Sequence, residues 1–239
     1  MIDLFPDGTG IFETIRTRSG RPFLLERHLM RATESAKILG LSLPSLEAIM
    51  SQILGCINEN PVHTEFGRLR VTFPGMGEIG VVHLPYEMWE RRAKLTLDSI
   101  ALDQGAPSAG IKALPYRENL EILQRARDAG FDDAIRLNLR GEVCETAIAN
   151  LLLRVNGVWT TPPRSTGALP GIMRSLALQL LAVEERTITG SDLDSVDSLF
   201  LVSSLRGFQP VESLEGRPLH IDYGMVQKAA SLARNLSVE

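Results

Sequence analysis

The sequence predicts an α/β or α+β chain of two lobes. Three observations carry this. Runs rich in β-branched and aromatic residues, bounded by turn signals, outnumber helical stretches in both halves of the chain. Separate stretches show apolar residues three or four apart, the helical spacing. Residues 103–110 (DQGAPSAG) are small, polar and without periodicity, which marks a boundary. The expected organisation is a small N-terminal α/β domain over residues 1–103, a linker over 104–110 and a C-terminal domain over 111–239. A chain of 239 residues is long enough for this.

The elements follow in order. Residues 10–17 (GIFETIRT) read as a strand, and Ser19-Gly20-Arg21-Pro22 turns the chain. From 25 to 39, Leu25, His28, Leu29, Ala32, Ala36 and Leu39 form one helical face, and Gly40 is the expected C-cap. A second helix is expected over 46–57. Strands are expected over 68–73 and 79–84, joined at Pro74-Gly75-Met76-Gly77, and over 94–100. Beyond the boundary, 118–129 reads as helix and 134–138 as strand. A turn at Arg140-Gly141 leads to a strand over 151–155. Asn156-Gly157 is a hairpin signal, with the return strand over 158–161. A helix is expected over 171–184, short strands near 199–202 and 211, and a last helix over 223–235.

Composition excludes several classes. Hydrophobic residues make up 44% and charged residues 23%, which argues against a disordered chain. Net charge is −4, so the basic footprint of a nucleic-acid binder is missing. Cys56 and Cys144 make neither a disulfide framework nor a zinc pattern and fit a reducing cytoplasm. The opening MIDLFPDG has no signal-peptide pattern, and no apolar run approaches the ~20 residues of a membrane span. The four histidines are scattered, so no metal site is expected. No Gly-rich dinucleotide fingerprint, phosphate loop or nucleophile elbow is present.

Four dispersed segments carry the chemistry. They are GIFETIRTRSGRPFLLERHLMRATESAKILGL over 10–41, GIKALPYRENLEILQRARDAG over 110–130, GEVCETAIANLLL with GVWTTPP within 133–163, and GALPGIMR over 167–174. Ser203-Ser204 and Pro210-Val211 follow the last of them. In this order and spacing they resemble the class IV aminotransferases, pyridoxal-phosphate enzymes of fold type IV. The resemblance implies a two-lobed fold with a larger, β-barrel-like C-terminal lobe that binds the cofactor. It also implies a homodimer acting on a small-molecule amino substrate.

The resemblance further implies roles. Lys112 falls at the family's cofactor-linking lysine, whose primary amine can then shuttle a proton. Glu145 matches the glutamate that pairs with the pyridine nitrogen and keeps the ring protonated. Arg31 matches the phosphate-binding arginine. Gly171, Ile172 and Met173 open a helix whose backbone N–H groups suit a dianion. Met173 stands where a threonine is common, so the backbone donor survives and a hydroxyl contact is lost. Ser203 and Ser204 match a hydroxyl pair near the phosphate. Tyr116 is placed to hydrogen-bond the ring oxygen or Lys112, and Asn119 follows at family-like spacing. Phe12 is expected to line the substrate pocket, Asn150 to tie the Glu145 loop and Arg174 to support the site.

Three activities share this scaffold: branched-chain transamination, D-amino-acid transamination and 4-amino-4-deoxychorismate lysis, a step of folate biosynthesis. The opening segment and Gly171-Ile172-Met173-Arg174 look most like the lyases, and the aminotransferases remain the alternative. The arginine that traps the substrate carboxylate in D-specific members is missing after Thr72, where Phe73-Pro74-Gly75-Met76-Gly77 stands. The N-terminus is shorter than is usual by a strand, and Gly8-Thr9-Gly10 replaces the usual Gly-Asp-Gly.

Overall fold

The computed structural model describes residues 8–235; the opening segment 1–7, read above for targeting and for its shortness, lies outside them. In chain order the elements are β1 (Gly10–Arg18), β2 (Arg21–Pro22), α1 (Leu25–Leu39), α2 (Leu46–Glu59), β3 (Phe66–Pro74), β4 (Gly80–Tyr86) and β5 (Ala93–Leu97). Then come β6 (Ala113–Leu114), α3 (Arg117–Asp128), β7 (Asp133–Leu137), β8 (Val143–Thr146), β9 (Asn150–Val155) and β10 (Val158–Thr161). The chain ends through α4 (Ile172–Leu180), β11 (Glu184–Glu185), β12 (Val196–Ser203), β13 (Gly207–Leu214), β14 (Arg217–Pro218) and α5 (Tyr223–Asn235). Both lobes mix helix and sheet, as the sequence predicts. No described helix is long and apolar enough to cross a membrane.

The first compact unit holds residues 8–88 and 111–117. Its sheet runs β2-β1-β3-β4, with β6 also pairing β1. Ile11, Ile15, Leu69, Val71 and Phe73 alternate onto the face that packs against Leu29 and Ala32 of α1 and Ile49 and Ile53 of α2. Helix α1 carries Glu26 in its first turn and Lys37 in its last, both matched to the helix dipole. Gly40 then closes it in the left-handed region at φ 67°, where glycine carries no Cβ penalty. Ser45 caps α2 by accepting the Ala48 N–H.

The second unit holds residues 89–110 and the described residues from 118 onward. Its sheet runs β11-β10-β9-β12-β13-β5-β7-β8, with β14 on β13. The β9–β10 hairpin turns on Asn156 (φ 52°) and Gly157 (φ 80°), the two left-handed positions of a type I′ turn. Leu151, Leu153, Leu199, Leu201 and Val211 form the centre of its core. Helix α3 packs Ile122, Leu123 and Ala126 on Ala134 and Ala147.

Three expectations differ from what is observed. The chain does not divide at 104–110. Strand β5 pairs in parallel with both β7 and β13, which places residues 89–103 in the second unit. Residues 111–117 return to the first unit through β6 on β1. Composition marks where periodicity stops, whereas the sheet a strand joins is decided by non-local pairing. The helix expected over 171–184 ends at Leu180, because Glu184 and Glu185 pair with Thr160 and Thr161 instead. Strand β8, which carries Glu145, falls between the turn at Arg140-Gly141 and the strand over 151–155, where the sequence pattern assigns no element.

Candidate active site

In the first unit, Lys112 lies just ahead of β6. Its carbonyl accepts the Phe12 N–H at 3.0 Å, which fixes the lysine backbone against β1. Its Nζ is 4.7 Å from the Phe12 ring centroid and 5.1 Å from that of Tyr116. The two rings meet edge to face, 4.8 Å apart. The Arg70 guanidinium lies 4.2 Å over the Phe12 ring. Burial pushes Arg70 down to about 9; nearby Tyr116 opposes this and Arg68 adds repulsion. The structure therefore brings together Lys112, Tyr116 and Phe12, all singled out in the sequence, and adds Arg70. The signal for Arg70 was an arginine between Leu69 and Val71 in an apolar strand.

Arg31 is on the helix-covered side of the same sheet. Its Nε donates to Glu13 Oε1 at 2.9 Å and its Nη2 to Oε2 at 2.5 Å. His28 Nδ1 meets the same Oε2 at 2.7 Å. All three residues are buried. Burial alone would raise the Glu13 pKa, but Arg31 and then His28 more than offset it and hold Glu13 at about 2. His28 is lowered by burial, with Glu13 opposing. Neither Glu13 nor His28 was singled out, although both stand in the motifs GIFETIR and HLMR.

In the second unit, Glu145 is on β8. Its Oε2 accepts the Asn150 side-chain amide at 2.9 Å and the Leu169 N–H at 3.1 Å. The same Asn150 amide donates to the Leu169 carbonyl at 3.0 Å, so Asn150 does tie the Glu145 loop. Gly171 is the N-cap of α4 and has no side-chain cap. A Cβ at Gly171 would stand 1.8 Å from Asn150 Oδ1, so only glycine fits. The first N–H groups of a helix have no partner within it, which leaves those of Ile172 and Met173 as donors. The Met173 side chain itself is core, 1% exposed.

The remaining residues are held as follows. Ser203 Oγ accepts the Arg206 N–H at 3.2 Å in the turn between β12 and β13, where Ser204 also lies. Asn119 donates to the Ala147 carbonyl at 2.6 Å, a structural tie. Buried Arg174 donates to the Pro162 carbonyl at 2.7 Å and pairs with Glu185.

A sequence profile of the family described as amino-transferase class IV matches residues 10–214. The chain belongs to the class IV aminotransferase family. One relative in this family is the bifunctional aminodeoxychorismate lyase / D-amino acid transaminase of Mycobacterium tuberculosis. It is 27% identical over 244 residues, with 89% of this chain and 84% of that protein covered. Two solved structures share the fold. The branched-chain aminotransferase of Thermoproteus uzoniensis with norvaline has a TM-score of 0.84 at 25% identity, covering 96% of this chain and 86% of that one. A hypothetical aminotransferase of Mycobacterium tuberculosis in its α-ketoglutarate- and PMP-bound form has a TM-score of 0.83 at 25% identity, covering 95% and 88%. The fold is that of fold type IV, and the cofactor of this family is pyridoxal 5′-phosphate. The donor set fits it: a primary amine against aromatic rings, a carboxylate fixed by an amide and a backbone N–H, and a helix start that a Cβ would crowd.

Proposed function

We propose that this enzyme is a 4-amino-4-deoxychorismate lyase, which releases pyruvate and 4-aminobenzoate. The observation that carries the proposal is the surround of Lys112: the rings of Phe12 and Tyr116, with the Arg70 guanidinium 4.2 Å over Phe12. Aromatic walls suit a six-membered carbocycle, and a buried guanidinium suits its carboxylate.

Bound pyridoxal phosphate supplies an electron sink for negative charge at the carbon that bears the substrate's amine. Lys112 would hold the cofactor through its amine, and that amine, once displaced by the amine of the substrate, would take the proton from C4 of the substrate. Tyr116 orients that amine by hydrogen bonding. Glu145 holds the proton at the pyridine nitrogen. Arg31, the N–H groups of Ile172 and Met173, and the hydroxyls of Ser203 and Ser204 would bind the phosphate, while the Gly171 N–H donates to the Leu169 carbonyl at 2.7 Å and Gly171 serves as the close-packed N-cap. Phe12 forms a wall against the substrate ring. As the ring becomes aromatic, the bond to the three-carbon ether group breaks. The proton held by Lys112 returns to the departing group, which leaves as pyruvate. Atoms and electrons balance without an acceptor.

The second reading is a branched-chain or D-amino-acid aminotransferase. It is favoured by relatives of those activities and uses the same proton abstraction at Lys112. Supplying aminodeoxychorismate with no 2-oxoacid separates the two. A lyase gives sustained release of pyruvate and 4-aminobenzoate. No release of either product, with a loss of the yellow cofactor absorbance that is reversed only when a 2-oxoacid is added, would replace the lyase with the aminotransferase.

A further inference from the structure

Strands β13, β5 and β7 run parallel, so the residues that lead into them gather at one end of the second unit's sheet. Arg206 precedes β13, Trp89 precedes β5 and Asp133 opens β7. The Arg206 side chain is buried there. Its guanidinium lies 4.6 Å over the Trp89 ring, and its Nη2 stands 3.3 Å from Asp133 Oδ2. Nη1 donates to Gln209 Oε1 at 3.3 Å, and the Gln209 amide donates in turn to the Arg91 carbonyl at 2.8 Å. An aromatic face, a carboxylate and an amide therefore fix one guanidinium from different directions.

The backbone of the same residue shapes the turn that bears the two serines. Ser203 pairs with Gly207, so Ser204, Leu205 and Arg206 form the three-residue loop of the β12–β13 hairpin. Gly207 follows at φ 64°, the left-handed position that such loops use. Hairpin loops are ordinarily more mobile than the strands they join. A phosphate site needs donors held in place, because ordering a loop on binding offsets part of the contact. The Arg206 N–H donates to Ser203 Oγ at 3.2 Å. That fills a lone pair of the hydroxyl and leaves its O–H as a donor, the polarity a phosphate dianion requires. Arg206 thus sets the turn through its N–H and anchors it through its side chain.

The anchor is shared with the other end of the proposed cofactor site. Asp133 Oδ1 accepts the Ala147 N–H at 3.1 Å and Oδ2 the Thr146 hydroxyl at 3.0 Å, beside Glu145. One buried carboxylate meets both the chain after Glu145 and the side chain that pins the serine turn. We propose that Arg206 is a positioning residue for the cofactor: anchored on Asp133, Trp89 and Gln209, it holds Ser203 and Ser204 as preset donors to the phosphate. The inference rests on reading these serines as phosphate contacts.

Titrating the cofactor-free full chain with pyridoxal phosphate and with pyridoxal tests this without turnover, since the ratio of the two affinities isolates the phosphate end. Arg206→Met should lower that ratio roughly tenfold, the scale of one hydrogen bond to a charged group, and leave pyridoxal affinity in place. Arg206→Lys, which keeps a charge facing Asp133 without the planar fork, should recover part of it. Ser203→Ala and Ser204→Ala should each lower the same ratio. Adding Arg206→Met to the double serine variant should lower it no further, because the arginine acts through the serines. Circular dichroism reports folding; should Arg206→Met not fold, Arg206→Lys carries the same comparison with a smaller expected drop. An unchanged ratio in the arginine variant, an equal loss for both ligands, or a further drop in the triple variant would overturn the inference alone. If the serine variants bound both ligands as the wild type does, the reading of the serine turn itself would fail.

Discussion

Glu13 in the first unit and Asp133 in the second are both buried carboxylates, yet their pKa values move in opposite directions. Glu13 meets a two-bond fork from Arg31 and the His28 ring, and is held down at about 2. Asp133 accepts as many contacts: the Ala134 N–H at 3.0 Å, the Ala147 N–H at 3.1 Å and the Thr146 hydroxyl at 3.0 Å, with Arg206 Nη2 at 3.3 Å. Its pKa is nonetheless raised, because burial outweighs Arg206 and the hydrogen bonds. The charge and fit of the donors decide the outcome, more than their number. Each carboxylate also underlies a proposed cofactor contact. Glu13 orients Arg31 through charge, whereas Asp133 fixes the Thr146 hydroxyl and the Ala147 backbone N–H, next to Glu145.

The largest test breaks the charged side. Glu13→Gln leaves Arg31 buried against a neutral amide. Removing one partner of a buried ion pair costs about 3–5 kcal/mol. Urea unfolding should show a loss of this size at neutral pH. A midpoint unchanged from wild type would mean that the Arg31 charge is compensated elsewhere.

Acid sharpens the comparison without mutation. Glu13 has its pKa lowered from 4.5 to about 2 on folding, so the unfolded chain takes up a proton that the native state refuses. Its contribution is complete above about pH 4.5 and is lost as pH falls towards 2, a change on the order of 3 kcal/mol. His28, lowered from 6.5, acts in the same sense and begins to cost stability once pH falls below that value. Asp133 acts in the opposite sense. Its folded pKa is raised, so its contribution is present below 3.8 and is lost as pH rises through the folded value. Denaturant midpoints measured from neutral pH into acid should fall steeply in the wild type and much less in Glu13→Gln. Parallel curves for the two would assign acid lability to other groups.

What the sequence could show follows from how local each feature is. Helix α1 was legible to the residue, because its apolar spacing and the Gly40 cap lie within one continuous stretch. The roles proposed for Lys112, Glu145 and Gly171 come from motif resemblance, not from any local pattern of spacing or charge. The reason Gly171 must be glycine is not local, since it depends on the Asn150 side chain reaching the start of α4 from β9. Arg70 was hidden for a related cause. Alternation shows that a strand has two faces, but not that both are covered, so a buried guanidinium reads as a solvated one. The division of the chain into units failed in the same way, through β5 and β6 crossing to distant partners.

The smallest effect is expected on the Asp133 side. In Asp133→Asn the amide oxygen can still accept the Ala134 and Ala147 N–H groups, and the new N–H₂ can donate to the Thr146 hydroxyl, which itself donates to the Ala149 carbonyl. Arg206 loses its facing carboxylate but retains Gln209 at 3.3 Å and the Trp89 ring at 4.6 Å. Because the charge on Asp133 is already disfavoured by burial, removing it should cost about 1 kcal/mol at neutral pH. The variant also lacks the group whose stabilisation fades as pH rises, so its deficit against wild type should grow towards acid, where the wild-type carboxyl is protonated and best accommodated. Paired unfolding curves at neutral and acid pH measure both quantities. A loss as large as that of Glu13→Gln, or a deficit that shrinks in acid, would show that Asp133 is held by charge after all and would remove the contrast between the two carboxylates.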